Sequence, residues 1–200
     1  MKYPVFSLLI MMALSVLPSC GDQAVDSPKP RIYPKVVYPE RAYQDFDMES
    51  CPFNFKIPSY STLDRDKRFF GEDPLHPCWF DIVIPVFDAR IYMSYYPIQS
   101  RSDFDKFISD SYTIANQINQ RSDYMDEFII SKGDVGGLIL EFEGHAASPT
   151  HFILTDTTNH FLRGALYFNT TVRPDSLAPV IDFLKEDISK IIETFEWKSE

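Results

Sequence analysis

The sequence predicts an α+β domain, a mainly antiparallel sheet of about six strands with two helices packed on one of its faces. Three observations point that way. Aromatic and β-branched runs recur in hairpin-spaced pairs, and two longer stretches carry apolar residues at steps of three and four. A hydrophobic content of 44% and an aromatic content of 15% over 200 residues support one sizeable core and leave little room for a second domain.

Taken in order, residues 51–60 (Cys-Pro-Phe-Asn-Phe-Lys-Ile-Pro-Ser-Tyr) read as a short edge strand between prolines, since proline cannot donate to an interior ladder. A polar loop runs from Ser61 to Pro77. Trp79 to Ile84 and Arg90 to Tyr96 flank Pro85 to Asp88 and read as an antiparallel hairpin, with Cys78 at its start. Phe104, Phe107, Ile108, Ala115 and Ile118 line one face of a helix over 103–119, with Ser102 as its N-cap. Phe128 to Ser131 and Gly137 to Phe142 form strands around the Gly133 to Gly136 turn. Thr150 to Thr155 and His160 to Phe168 form a second hairpin across Asp156-Thr157-Thr158-Asn159. Leu177, Val180, Ile181, Leu184, Ile188, Ile191 and Phe195 define an amphipathic C-terminal helix. Pro179 is accommodated there as a first-turn residue, whose amide lacks an intrahelical partner anyway.

The N-terminus has a different logic. Lys2 precedes an apolar run from Tyr3 to Leu17, the pattern of an export signal over residues 1–19. The run is shorter than the about twenty residues that a membrane span needs. It ends in Leu17-Pro18-Ser19-Cys20, which resembles a bacterial lipobox, although Pro18 departs from the commonest pattern. Cys20 is then the lipidated residue, its palmitate-type chains holding the mature protein to a membrane at roughly 0.8 kcal/mol per buried methylene. The alternative is an ordinary cleaved signal with a chance cysteine, but no small-x-small site lies nearby. The expected location is the cell envelope, with the outer membrane favoured and the leaflet open.

Loss of Lys2 with the signal takes the formal charge from -10 to -11, which argues against nucleic acid as a partner. Residues 20–44 carry Pro28, Pro30, Pro34 and Pro39 and read as a tether ahead of a single domain at 45–200. That tether is either an extended arm or one shortened by packing of Ile32, Tyr33, Val36, Val37 and Tyr38 onto the domain. Cys51 and Cys78 are an even pair in an exported chain, most simply a disulfide. A metal site using Cys51, Cys78 and His76 is the alternative, but it offers only three ligands without a recognised spacing. No metal or other cofactor is expected.

Two long strings then carry a family resemblance. One is Gly144-His145-Ala146-Ala147-Ser148-Pro149-Thr150-His151-Phe152, continuing through Leu154-Thr155-Asp156 to His160-Phe161-Leu162-Arg163-Gly164-Ala165-Leu166-Tyr167-Phe168. The other is Asp175-Ser176-Leu177-Ala178-Pro179-Val180 through Glu193-Thr194-Phe195-Glu196-Trp197-Lys198. With Cys-Pro-Phe at Cys51, Cys-Trp-Phe at Cys78 and the lipobox, they make the chain resemble the gliding motility lipoprotein GldD family over nearly its whole length. The resemblance implies an envelope lipoprotein of Bacteroidota that supports gliding and type IX secretion through contacts with other envelope lipoproteins. It implies no catalytic residues. The element order also faintly resembles the PsbP and Mog1 folds, an analogy of fold alone.

The chemically suggestive residues are His145, Ser148, His151, Asp156, His160 and Arg163, since Ser, His and Asp are the parts of a nucleophilic triad. If the hairpin closes symmetrically, 155 faces 160 and 151 faces 164. His151 and His160 then share a sheet face about 13 Å apart, too far to hold one metal, and Arg163 lies on the other face beside Phe152 and Phe161. Ser148 lacks the Gly-x-Ser-x-Gly elbow of a hydrolase. His145, Ser148, His151, His160 and Arg163 are therefore expected to form a partner or ligand surface, not a catalytic centre. Asp103, Asp105, Asp110, Glu186 and Asp187 read as solvated helix faces. Glu72, Asp73, Pro74 and His76 could form an exposed binding loop. Trp79, Tyr92, Tyr95 and Tyr96 mark either a partner surface or burial against the helices.

The expected function is accordingly a noncatalytic, membrane-tethered interaction module. The alternative is a periplasmic enzyme or small-ligand domain built on residues 144–168, which requires a deep pocket containing His151 or Arg163.

Overall fold

Strict alternation of buried and half-buried residues along Ala-Arg-Ile-Tyr-Met-Ser-Tyr-Tyr gives the chain an inner strand with two distinct faces, and the fold is organised about it. The computed structural model describes residues 35–46, 48–65, 76–170 and 174–198. The expected export signal over residues 1–19, Cys20, most of the expected tether and the loop residues Glu72, Asp73 and Pro74 lie outside the described residues.

The main sheet has seven antiparallel strands. In chain order they are β4 (Thr62–Asp64), β5 (Phe80–Ile84), β6 (Ala89–Pro97), β7 (Ser122–Lys132), β8 (Val135–Gly144), β9 (Thr150–Thr155) and β10 (His160–Phe168). Their spatial order is β4-β5-β6-β10-β9-β8-β7. The helices are α1 (Arg101–Asn119) and α2 (Pro174–Thr194). Two small sheets complete the fold, β1 (Tyr43–Asp45) on β3 (Lys56–Pro58) and β2 (Phe53–Asn54) on β11 (Glu196–Trp197).

Several expectations are corrected. The segment 51–60 is not an edge of the main sheet: its short strands β2 and β3 each pair elsewhere, and the sheet edge is β4, inside the stretch expected to be loop. β7 starts six residues before Phe128. Ser100, not Ser102, caps α1, its Oγ accepting from the Asp103 N–H while Asp103 Oδ2 accepts from Ser100 Oγ and Gln99 N–H. These reciprocal bonds satisfy donors that a start at Ser102 would leave open. α2 begins at Pro174, so Pro179 lies inside the helix and removes the backbone bond back to Asp175.

The largest correction concerns the layers. α2 packs Val180, Leu184, Ile188 and Ile191 against Phe152, Leu154, Leu162 and Leu166. α1 packs Phe104, Phe107 and Ile108 against Ile153 and Phe161, on the opposite side. The helices thus cover opposite faces. The reason is that every residue of β9, Thr-His-Phe-Ile-Leu-Thr, is buried, so both faces of the central strands need cover.

On the α2 face the core is dense. Phe46, Phe53, Phe55, Phe80 and Phe195 form stacked pairs, among them Phe46–Phe55 at 4.4 Å and Phe53–Phe195 at 5.7 Å between centroids. The Cys51–Cys78 disulfide, with 5.6 Å between Cα atoms, ties this aromatic layer to the start of β5. Gly164 makes the packing possible, since a Cβ there would stand 2.1 Å from Phe152 Cζ. Lys132, at the tip of the β7–β8 hairpin, donates to the carbonyls of Glu193 and Phe195 and so closes the C-terminal end of α2.

Candidate functional site

The facing of His151, His160 and Arg163 follows from one turn. Asp156 Oδ1 accepts backbone N–H bonds from Thr158, Asn159 and His160 at 2.9, 2.8 and 2.8 Å. Against the desolvation that would raise it, these donors hold the Asp156 carboxyl below the ordinary carboxylate range. Asp156 N–H also donates to His160 O, and Thr157 between them takes a left-handed φ of 67°. Residues 156 and 160 therefore close the hairpin, and the loop is one residue shorter than a symmetric closure over Asp156 to Asn159.

That single residue changes the faces. Thr155 pairs with Phe161 and His151 with Ala165, not with 160 and 164 as expected. A slip of one position moves side chains to the other side of a strand. His151 and His160 consequently lie on opposite faces, and Arg163 shares the face of His151 beside Ile153 and Phe161 rather than that of Phe152; both placements reverse the sequence-based expectation.

The expected surface is thus dispersed. His145 is exposed. Ser148 is fully buried and donates to the Leu166 carbonyl at 2.5 Å, a tie between strands. His160 stacks on Trp197 at 4.9 Å, and its Nδ1 lies 2.7 Å from Tyr95 Oη. His76 Nδ1 accepts from the Cys78 N–H at 3.1 Å, and both candidate sulfur ligands of the alternative metal site are bonded to each other.

What the fold does bring together is His151 and Arg163. They line a half-open cavity of about 350 Å³ with Trp79, Tyr92, Ser94, Ile114, Ala165 and Tyr167. Its floor is the cross-strand row Tyr92–Ala165–His151, with the pair Ser94–Arg163 next to it. Tyr92 and Tyr167 meet edge to face at 5.3 Å, and Ile114 of α1 forms the opposite wall. Arg163 donates to Tyr96 Oη at 3.2 Å and has no carboxylate partner among the described residues. Burial, aided by the neighbouring Arg163 charge, pushes the His151 imidazole down to about 4, so the ring is neutral near pH 7. His151 is only 4% exposed, and its Nε2 has no hydrogen-bond partner. Sequence reading named His151 and Arg163 but missed Ser94, Ala165, Tyr167 and Ile114. Period-two alternation puts Tyr92 beside Ser94, yet nothing short of the β6–β10–β9 register adds the others.

A second polar cluster was also missed. Asp187, expected on a solvated face, is fully buried, a correction that follows from the N-terminal arm lying across α2. Tyr60 Oη, Tyr43 Oη at 3.0 Å and Arg41 at 3.3 Å all donate to its carboxylate. Arg41 also reaches Glu186 at 3.0 Å and lies over the Phe183 ring at 4.0 Å. Desolvation holds the Asp187 carboxyl above its ordinary range in spite of these partners. This is a latch holding residues near 41–43 to α2.

The outer strand β7 has another character. It is an edge of the sheet, and Tyr124, Phe128 and Ile129 on it are 49%, 49% and 82% exposed. No helix among the described residues is long and apolar enough to cross a membrane.

Comparison with known proteins adds the family. The chain matches no curated protein sequence. Among solved structures it is similar to cyanobacterial PsbP (CyanoP) from Synechocystis sp. PCC 6803, at 10% identity and a TM-score of 0.47, covering 80% of this chain and 94% of that one. The sequence profile described as gliding motility lipoprotein GldD spans residues 23–197, taking in the aromatic layer, both cysteines of the disulfide, the 144–168 hairpin and the C-terminal strand, and the chain belongs to that family.

Proposed function

We propose that this protein is a membrane-anchored envelope lipoprotein that supports gliding motility and type IX protein secretion as a noncatalytic interaction or assembly component. The observation that carries the reading is the family match across residues 23–197, which gives the gliding motility role. The anchor rests on the lipobox pattern ending at Cys20, and the expected partners are other envelope lipoproteins of the same machinery.

Two features of the fold support the noncatalytic, contact-making part. Ser148, His151 and His160 have separate surroundings, with Ser148 bonded to a backbone carbonyl and the two histidines on opposite faces, so no nucleophile–base pair forms from them. Among the described residues the outer side of β7 has no strand partner, and Phe128 and Ile129 on it are exposed, the kind of strand to which a partner adds. Reversible crosslinking in intact cells followed by pull-down of this protein tests the reading. Envelope components of the gliding and secretion machinery should be recovered, and the recovery should fall when Cys20→Ala abolishes palmitate labelling. Recovery of none of them, together with normal secretion after deletion of the gene, would refute it.

A further inference from the structure

The sheet face under α1 is incompletely filled, and the gap has a definite chemistry. Ala165 at the centre of the cross-strand row leaves a space that a larger side chain would close, and Tyr92, Tyr167, Trp79 and Ile114 supply flat or apolar walls around it. The polar groups are few and converge: Ser94 and Arg163 on paired positions of β6 and β10, and His151 across from Ala165. Arg163 is the one cation among the lining residues, and no carboxylate is among them, although the chain as a whole carries a formal charge of -10. Arg41 and Arg90 each hold carboxylates at 3.0 to 3.4 Å, whereas Arg163 holds a tyrosine hydroxyl. His151 Nε2 is buried here without a partner, which folded proteins rarely leave standing.

We propose that this cavity binds a small amphiphilic monoanion, a carboxylate on a flat apolar body, with Arg163 pairing the carboxylate and the Tyr92, Tyr167, Trp79 and Ala165 surfaces holding the body. His151 and Ser94 supply the remaining polar contacts. A guanidinium suits this task because its planar donors match a carboxylate in two-point fashion. The site is independent of the β7 edge and of the lipid anchor, so it can be tested separately from either.

The chain holds two tryptophans, Trp79 on the cavity wall and Trp197 across the sheet against Phe195. Labelling with fluorotryptophan therefore gives one fluorine resonance at the site and one internal control. The full mature protein in lipid nanodiscs is titrated with naphthoate as the probe. A saturable shift of the Trp79 resonance with Trp197 unmoved is expected. Arg163→Gln should weaken the probe by about tenfold or more, as removal of a charge-assisted contact does. The neutral analogue naphthamide, tested on the unaltered protein, should bind about tenfold more weakly for the same reason, which keeps the test valid should the variant fold poorly. Absence of a saturable shift, equal movement of both resonances, or equal affinity for naphthoate and naphthamide would overturn the proposal.

Discussion

The two faces of the central sheet are built to different standards. Under α2, Phe53, Phe80, Phe152 and Phe195 are completely or almost completely buried, a disulfide crosses the layer, and the buried carboxylate of Asp187 has three donors. Under α1, the buried apolar residues of the main cluster are Ile98, Ile153 and Phe161, the aromatic side chains around them are only partly covered, and His151 sits buried without a partner for Nε2. Dense aromatic packing stabilises a fold, whereas incomplete packing around convergent polar groups is what a binding site requires. The contrast assigns most of the stability to the α2 face and leaves the α1 face for recognition.

Truncation gives the strongest challenge to that division. Phe53→Ala should cost about 3 to 5 kcal/mol in urea denaturation, because it opens a cavity among six rings, while Arg163→Gln should cost under about 1 kcal/mol. Comparable losses at the two positions would erase the distinction. Removing the disulfide by Cys51→Ser with Cys78→Ser should cost about 3.5 kcal/mol in the chain-entropy account, read from the shift in the urea midpoint relative to the oxidised protein.

Acid should separate the faces by sign. His151 titrates near 4 in the folded chain against 6.5 in the unfolded one, so the unfolded state takes up a proton that the folded state refuses in this window. Its contribution is intact above pH 6.5 and declines by roughly 3 kcal/mol as pH falls to about 4, and His151→Gln should flatten that part of the stability profile. Asp187 works the other way. Its folded carboxyl titrates above the unfolded one, so its contribution is present below the ordinary carboxyl range and is lost as pH rises through the folded value. Asp187→Asn should remove a slope of opposite sign. The smallest stability effect belongs to the edge: Ile129→Lys should alter unfolding by no more than about 0.5 kcal/mol while reducing partner recovery after crosslinking.

Much of the architecture was legible in the residues. The hairpins at 79–96 and 150–168, both helices, the α+β class and the cysteine pair all follow from periodicity, turn residues and cysteine count. The continuous burial of β9 is also written there, since Phe152, Ile153 and Leu154 follow one another with nothing polar between them. The short strands β2, β3 and β11 were illegible because two or three residues carry no period. Asp187 read as solvated because its partners Arg41, Tyr43 and Tyr60 come from more than 120 positions away.

By itself the amino-acid order determined which of the longer segments become strands and helices, because that depends on neighbours within a few residues along the chain, and with only two cysteines beyond Cys20 it left a single pairing among them. It also carries the strings that place the protein in its family. Whether Arg163 joins His151 or turns its back on it depended on how three N–H groups closed over Asp156 Oδ1, for a hairpin shortened by one position inverts every side chain beyond it. That choice, like the assignment of each helix to its own face, belongs to contacts between distant strands, and only the folded molecule settles it.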